Sequence, residues 1–170
     1  MVGTGRTRRG VCLGLAGLAG LAASGLRAED IVDLEWRDLL PEGQSSLPPQ
    51  LQGLVPHDET DMASSQAVST GVRTDWNGRT VRLSGFIIPL DQKGTGVTAF
   101  MLVPYVGACI HVPPPPANQL ILVTTEDPYE SGGLFDPVTV TGMFGTASMS
   151  TQLAEVGYAL SADRIVAYRG

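Results

Sequence analysis

From Arg79 to the end of the chain, apolar residues recur with a period of two, the spacing that puts side chains on one face of a β-strand. "RTVRLSGFIIPL" sets Val81 and Leu83 on one face and then Phe86, Ile88 and Leu90, with a change of phase at Gly85. A bulge or sharp bend at that glycine is expected to produce the change. "GVTAFMLVPY" follows and is apolar on both faces. "NQLILVTT", "PVTVTGMFG" and "GYALSADRIVAY" bring the strands to five, and "TQLAEV" reads as a short helical turn before the last. An all-β chain of five strands, the first long and bent, fits a small OB-like Greek-key barrel; a β-sandwich is the alternative.

The forepart is different. Residues 1–28 carry Arg6, Arg8 and Arg9, then the uncharged apolar run "VCLGLAGLAGLAASGL", then the small-residue site "LRA". That order is expected of a signal peptide cleaved after Ala28, exporting the chain to the periplasm. The apolar run falls short of the roughly 20 residues that span a bilayer, so no membrane insertion is expected once it is removed. Thr7, Arg8, Arg9 and Val11 also resemble a twin-arginine export signal, and the route stays open. Residues 29–78 read as a mostly irregular extension, with a short amphipathic turn in "DIVDLEWRDLLPEG" stopped by Pro41. Trp36 and Trp76 are expected to anchor this extension to the barrel domain, residues 79–170, because large aromatics bury much apolar area.

Removing residues 1–28 leaves seven basic residues against seventeen acidic ones, a net charge of −10. Such a surface repels phosphate backbones, so nucleic acid is excluded as a partner. Only Cys109 remains of the two cysteines, and no intramolecular disulfide can form.

Chemistry concentrates in "FMLVPYVGACIHVPPPPANQ", where Cys109 and His111 stand two apart before four prolines. In an extended segment both side chains point the same way, and thiolate with imidazole is a ligand pair for zinc or copper. Pro113, Pro114, Pro115 and Pro116 favour a stiff polyproline II run, so holding two ligands costs little further entropy. A complete site needs more ligands. His57, Asp58, Glu59 and Asp61, or Glu126 and Asp127, are the candidates. Three readings stay open: a buried structural pair, a metal site, and thiol chemistry. Asn118 and Gln119 are expected to close the proline turn through backbone hydrogen bonds. No Ser/His/Asp set is available with two histidines, and side chains at i and i+2 project in parallel, so no enzyme is expected.

"VRLSGFIIPLD", "LEWRDLLPEG" and above all the block VPY-x-GACIHVPPPP-x-NQ resemble a family of exported bacterial proteins catalogued as a domain of unknown function. The resemblance covers most of the chain beyond residue 28. Some relatives look to be encoded beside transporter genes linked to zinc supply, which implies a metal-related periplasmic role. It carries over no activity, only the block: Tyr105, Gly107, Cys109, His111, Pro113 to Pro116, Asn118 and Gln119. The expected function is a non-enzymatic accessory or binding protein that serves a membrane transport complex and binds zinc or copper through Cys109 and His111. The alternative is an interaction module presenting the proline loop to a partner in a membrane complex.

Overall fold

The computed structural model describes residues 30–43, 66, 69, 71–107, 114–151 and 153–169. Six strands form one sheet: β1 (Val32–Asp33), β2 (Arg79–Lys93), β3 (Gly96–Val103), β4 (Ile121–Tyr129), β5 (Pro137–Ser150) and β6 (Glu155–Ala167). The order β1-β2-β3-β4-β6-β5 closes on itself because β2 also pairs with β5. Five strands therefore make a closed, mixed barrel of OB-like topology, with β1 as an extra strand. The one parallel seam in the barrel is β4 with β6, in the register Ile121↔Tyr158. No α-helix occurs among the described residues, and none there is long and apolar enough to cross a membrane.

β2 closes the barrel by serving two neighbours. Arg79 through Phe86 pair with β5, and Phe86 through Lys93 pair with β3. The strand does not change phase at Gly85. Val81, Leu83, Gly85 and Ile87 all lie on one buried face, and the β5 register runs through Gly85 without a slip. The irregularity lies further on, between Pro89 and Gln92. Phe86 and Ile88 imitate a phase switch because they face outward into a second apolar cluster. Gly85 is required for close approach instead: a Cβ there would stand 2.8 Å from the Val103 carbonyl oxygen and 3.0 Å from the Trp36 ring.

Two apolar layers follow from the strand alternation. The barrel interior holds Phe100 and Leu102 of β3, Ile121 and Val123 of β4, and Tyr158 and Leu160 of β6. The outer face of β3 is apolar too, as its sequence indicates: Met101 and Val103 are fully buried with Ile88, Leu120 and Val156. Burying each such side chain is worth about 1.5–3 kcal/mol, so the second cluster is a real part of the core.

The extension contributes to the interior. β1 pairs in parallel with β2 at Val81 and Arg82. The expected turn is a 3-10 helix, Trp36–Leu39, and Leu34 and Leu39 reach the main core. Trp36 and Trp76 both pack against that core, as large aromatics were expected to do. "TQLAEV" is not helical in its described part. Thr151 and Ala154 close the β5–β6 hairpin, with Thr151 N–H donating to the Ala154 carbonyl at 2.9 Å, and Glu155 and Val156 already belong to β6. Residues 1–28 and the acidic stretch "PHDETDM" lie outside the described residues.

Candidate functional site

The connection from β3 to β4, residues 104–120, carries the block singled out in the sequence. At its start Tyr105 packs on the second cluster, Val106 is 60% exposed, and Gly107 takes a φ of +92 that favours glycine. At its end Pro114 and Pro115 are buried, and Pro116 has the polyproline II angles φ −57 and ψ 153. A 3-10 turn, Ala117–Gln119, then leads into β4.

The turn closes through the backbone, as expected: Gln119 N–H donates to the Pro116 carbonyl at 2.8 Å. The side chains of Asn118 and Gln119 do something the sequence did not suggest. They are the buried polar side chains of the described residues, 1% and 5% exposed, and both reach into the N-terminal extension. Asn118 Nδ2 donates to the Gly71 carbonyl at 2.9 Å. Gln119 Nε2 donates to the Trp36 carbonyl at 2.9 Å. Gln66 adds a third tie: its Nε2 donates at 2.8 Å to both Pro115 O and Glu155 O, and its Oε1 accepts from Glu155 N–H. Gly157 of β6 lets the turn sit close, because a Cβ there would lie 2.7 Å from the Ala117 carbonyl oxygen.

Tyr158 fastens the same region from the barrel interior. Its hydroxyl donates to the Leu39 carbonyl at 2.8 Å and accepts from Arg73 N–H at 2.7 Å. Burial raises the pKa of this phenol above its ordinary value, and the Arg73 backbone hydrogen bond opposes the rise. Nearby, the exposed Asp75 carboxyl is held low by its hydrogen bond with Arg73, whose guanidinium lies 4.8 Å over the Trp76 ring.

Cys109, His111 and Pro113 lie outside the described residues, as does His57. The described residues contain no cysteine or histidine, and among them no group of three or more Cys, His, Asp or Glu is placed to hold a metal. Glu126 and Asp127 stand toward the far end of β4, about 20 Å along the strand from the loop's last residue. They line a separate cleft of about 490 Å³ with Asp163, Arg164 and Tyr129. The cleft opens where β4 and β6 part after the pair Thr125↔Ala162. Its margins bear Pro128, exposed charges and a register shift of β6, the features that keep an open strand edge from pairing with another chain. Sequence periodicity gave no sign of this cleft, because it arises from the divergence of a parallel pair.

The family model of a protein of unknown function, DUF3299, matches residues 36–167. The chain belongs to the DUF3299 family. Its fold is also similar to the crystal structure, at 2.45 Å resolution, of a DUF3299 family protein from Pseudomonas aeruginosa PAO1. The two are 36% identical, with a TM-score of 0.68 over 82% of this chain and 97% of that one. No curated protein matches. The matched stretch of the DUF3299 domain begins at Trp36, so it includes the 3-10 turn that Gln119 binds as well as the whole β3–β4 connection.

Proposed function

We propose that this DUF3299 protein is an exported, periplasmic, non-enzymatic accessory protein whose β3–β4 connection is its binding element. Cys109 and His111 are its metal ligands, zinc first and copper second, and it serves a membrane transport complex. One observation carries the reading: the chain commits its buried Asn118 and Gln119 to fixing one end of the segment that bears the pair. A mounted segment loses less entropy when its side chains converge on an ion. The thiolate and imidazole are borderline-soft donors of the kind zinc and copper prefer. The remaining ligands come from His57, from water, or from the partner that receives the metal.

The burial of Pro114 and Pro115, and the bond from Gln66 to the Pro115 carbonyl, favour the metal reading over the alternative in which the proline loop is presented to a partner. The test is the metal content of the purified mature protein together with the alkylation rate of Cys109. Zinc or copper at one equivalent, with alkylation slowed by metal and restored by chelator, supports the reading. No metal above background, with Cys109 inert until unfolding, leaves the pair a structural one.

A further inference from the structure

Past the pair Thr125↔Ala162, β6 runs on without β4 beside it. From Arg164 to Ala167 it keeps an unbroken register with β5 on one side, and among the described residues no strand pairs with this stretch on the other. Which backbone groups face the open side follows from the ladder. Tyr168 N–H donates to the Pro137 carbonyl at 2.9 Å, so these two residues face each other as a hydrogen-bonded pair. Antiparallel pairs alternate between bonded and unbonded, so Val166 bonds to Thr139, while the N–H and C=O groups of Ile165 and Ala167 point away from β5. Pro128 guards the β4 wall of the cleft, and the register shift falls before Arg164, so neither interrupts Ile165, Val166 and Ala167. These three residues form a regular, uncharged edge with one side open.

We propose that this edge is a homodimerisation surface, along which β6 of a second copy lies antiparallel in the place that β4 vacates. The dimer goes beyond the metal reading and does not depend on it. A two-fold register centred on Val166 fits the open groups. It sets Ile165 opposite Ala167 of the second copy, and Ala167 opposite Ile165 of the second copy. Both outward-facing residues of each strand then meet outward-facing partners, and four backbone hydrogen bonds close. A register shifted by one residue would instead face these groups with ones already bonded to β5.

Charge selects a second copy as the occupant. Of the seven basic residues beyond residue 28, two stand here, Arg164 and Arg169, against the single acid Asp163. Two acidic chains therefore meet where their general repulsion is locally relieved. Asp163, Arg164 and Arg169 are exposed and enter no salt bridge among the described residues. The register centred on Val166 makes them complements. Asp163 faces Arg169 of the second copy, and Arg164 faces the exposed Tyr168 ring of the second copy. Val166, also exposed, meets the same residue of the second copy at the two-fold axis. A parallel copy would set Asp163 against Asp163 and Arg169 against Arg169, so the same charges reject the wrong orientation.

The test is sedimentation velocity of the mature wild-type protein, from low micromolar concentration up to about 1 mM, the weak end of specific association. Reductant and chelator are present, so that neither a Cys109 disulfide nor a shared metal ion can join two copies. A reversible monomer–dimer equilibrium is expected, a weak one because the seam is short. Ala167→Pro should abolish it. That variant loses an outward N–H and no bond to β5, so the monomer keeps its fold, which its thermal unfolding checks. Asp163→Arg should weaken the dimer about tenfold by setting arginine against arginine, although it lowers the net negative charge. Adding Arg169→Asp should restore the wild-type affinity. The two positions lie about 20 Å apart along one strand, so only a contact between copies can produce that rescue. A monomer at every concentration would overturn the proposal and leave the edge to a strand of another protein. A dimer indifferent to Ala167→Pro, or one weakened by Asp163→Arg that the double variant does not restore, would overturn it as well.

Discussion

The side-chain amide of Gln119 donates to the backbone carbonyl of Trp36 across 83 positions of sequence, at 2.9 Å. This bond joins the end of the β3–β4 connection to the N-terminal 3-10 turn, and both partners belong to the stretch matched by the family model. The described end of the loop and the described 3-10 turn of the extension are therefore tied directly to each other.

Replacing Gln119 with leucine keeps much of the volume and removes the donor. The Trp36 carbonyl then loses a partner in a partly buried place, which costs about 1–3 kcal/mol. For a domain of this size the melting temperature should fall by roughly 2–12 °C. Circular dichroism melts of Gln119→Leu against the exposed Lys93→Gln are the check. Equal melting would show that the tie contributes nothing to the folded state.

Gly85→Ala and Gly145→Ala should differ, although both glycines lie in strands. At Gly85 the added carbon meets the Val103 carbonyl oxygen at 2.8 Å, and overpacking of this kind costs about 1–3 kcal/mol. At Gly145 the nearest atom is Asn77 Oδ1 at 4.0 Å, so the substitution should be neutral or slightly stabilising. Urea unfolding of the two variants gives the comparison. An innocuous Gly85→Ala would mean that Trp36 does not hold its place over β2.

Why some of this was legible in the sequence and some was not can be traced to particular residues. Val138 and Val140 alternate with half-exposed threonines, and period two alone puts them inside. The packing of Trp36 and Trp76 was foreseeable because rings of that size have few other places to go. Gly85 misled because outward apolar residues, Phe86 and Ile88, look like a shifted inward face; periodicity cannot separate a barrel interior from a covered exterior. Asn118 and Gln119 read as local turn residues, and their side-chain partners Gly71 and Trp36 lie 47 and 83 positions away. Contacts of that range follow from closure of the barrel, which no local pattern encodes.

Tyr158→Phe should weaken the join and change its pH dependence. The hydroxyl links Arg73 N–H to the Leu39 carbonyl, so its loss should cost about 1–3 kcal/mol. Burial raises the phenol's pKa in the folded state, so its contribution is complete below the unfolded value near 10 and is lost as pH rises through the folded value. Wild type should therefore lose stability on the alkaline side more steeply than Tyr158→Phe. Tyr129, raised by burial and by Asp136, adds the same trend to both proteins and cancels in the comparison. Denaturant melts between pH 8 and about 11 test it. Parallel alkaline limbs would mean that Tyr158 titrates alike in both states.

The metal reading makes the most demanding prediction. If Cys109 and His111 hold an ion, zinc should slow alkylation of Cys109 and raise the melting temperature by mass action on the folded state. Affinity should fall as pH drops, because protons compete for thiolate and imidazole. His111→Ala should remove the metal effect and leave the metal-free melting temperature close to wild type. Cys109→Ser with His111→Ala should add little to the metal loss caused by either change alone, since one missing ligand already opens the site. A structural pair behaves differently: each substitution lowers stability with or without metal, and the wild-type melt does not respond to zinc or copper. Gln119→Leu then links the loop's mount to its chemistry. If fixing the loop's end favours ligation, this variant should bind zinc more weakly even at temperatures where it is fully folded. Unchanged zinc affinity in Gln119→Leu would sever the mount from the site while leaving the ligand assignment to the alkylation result.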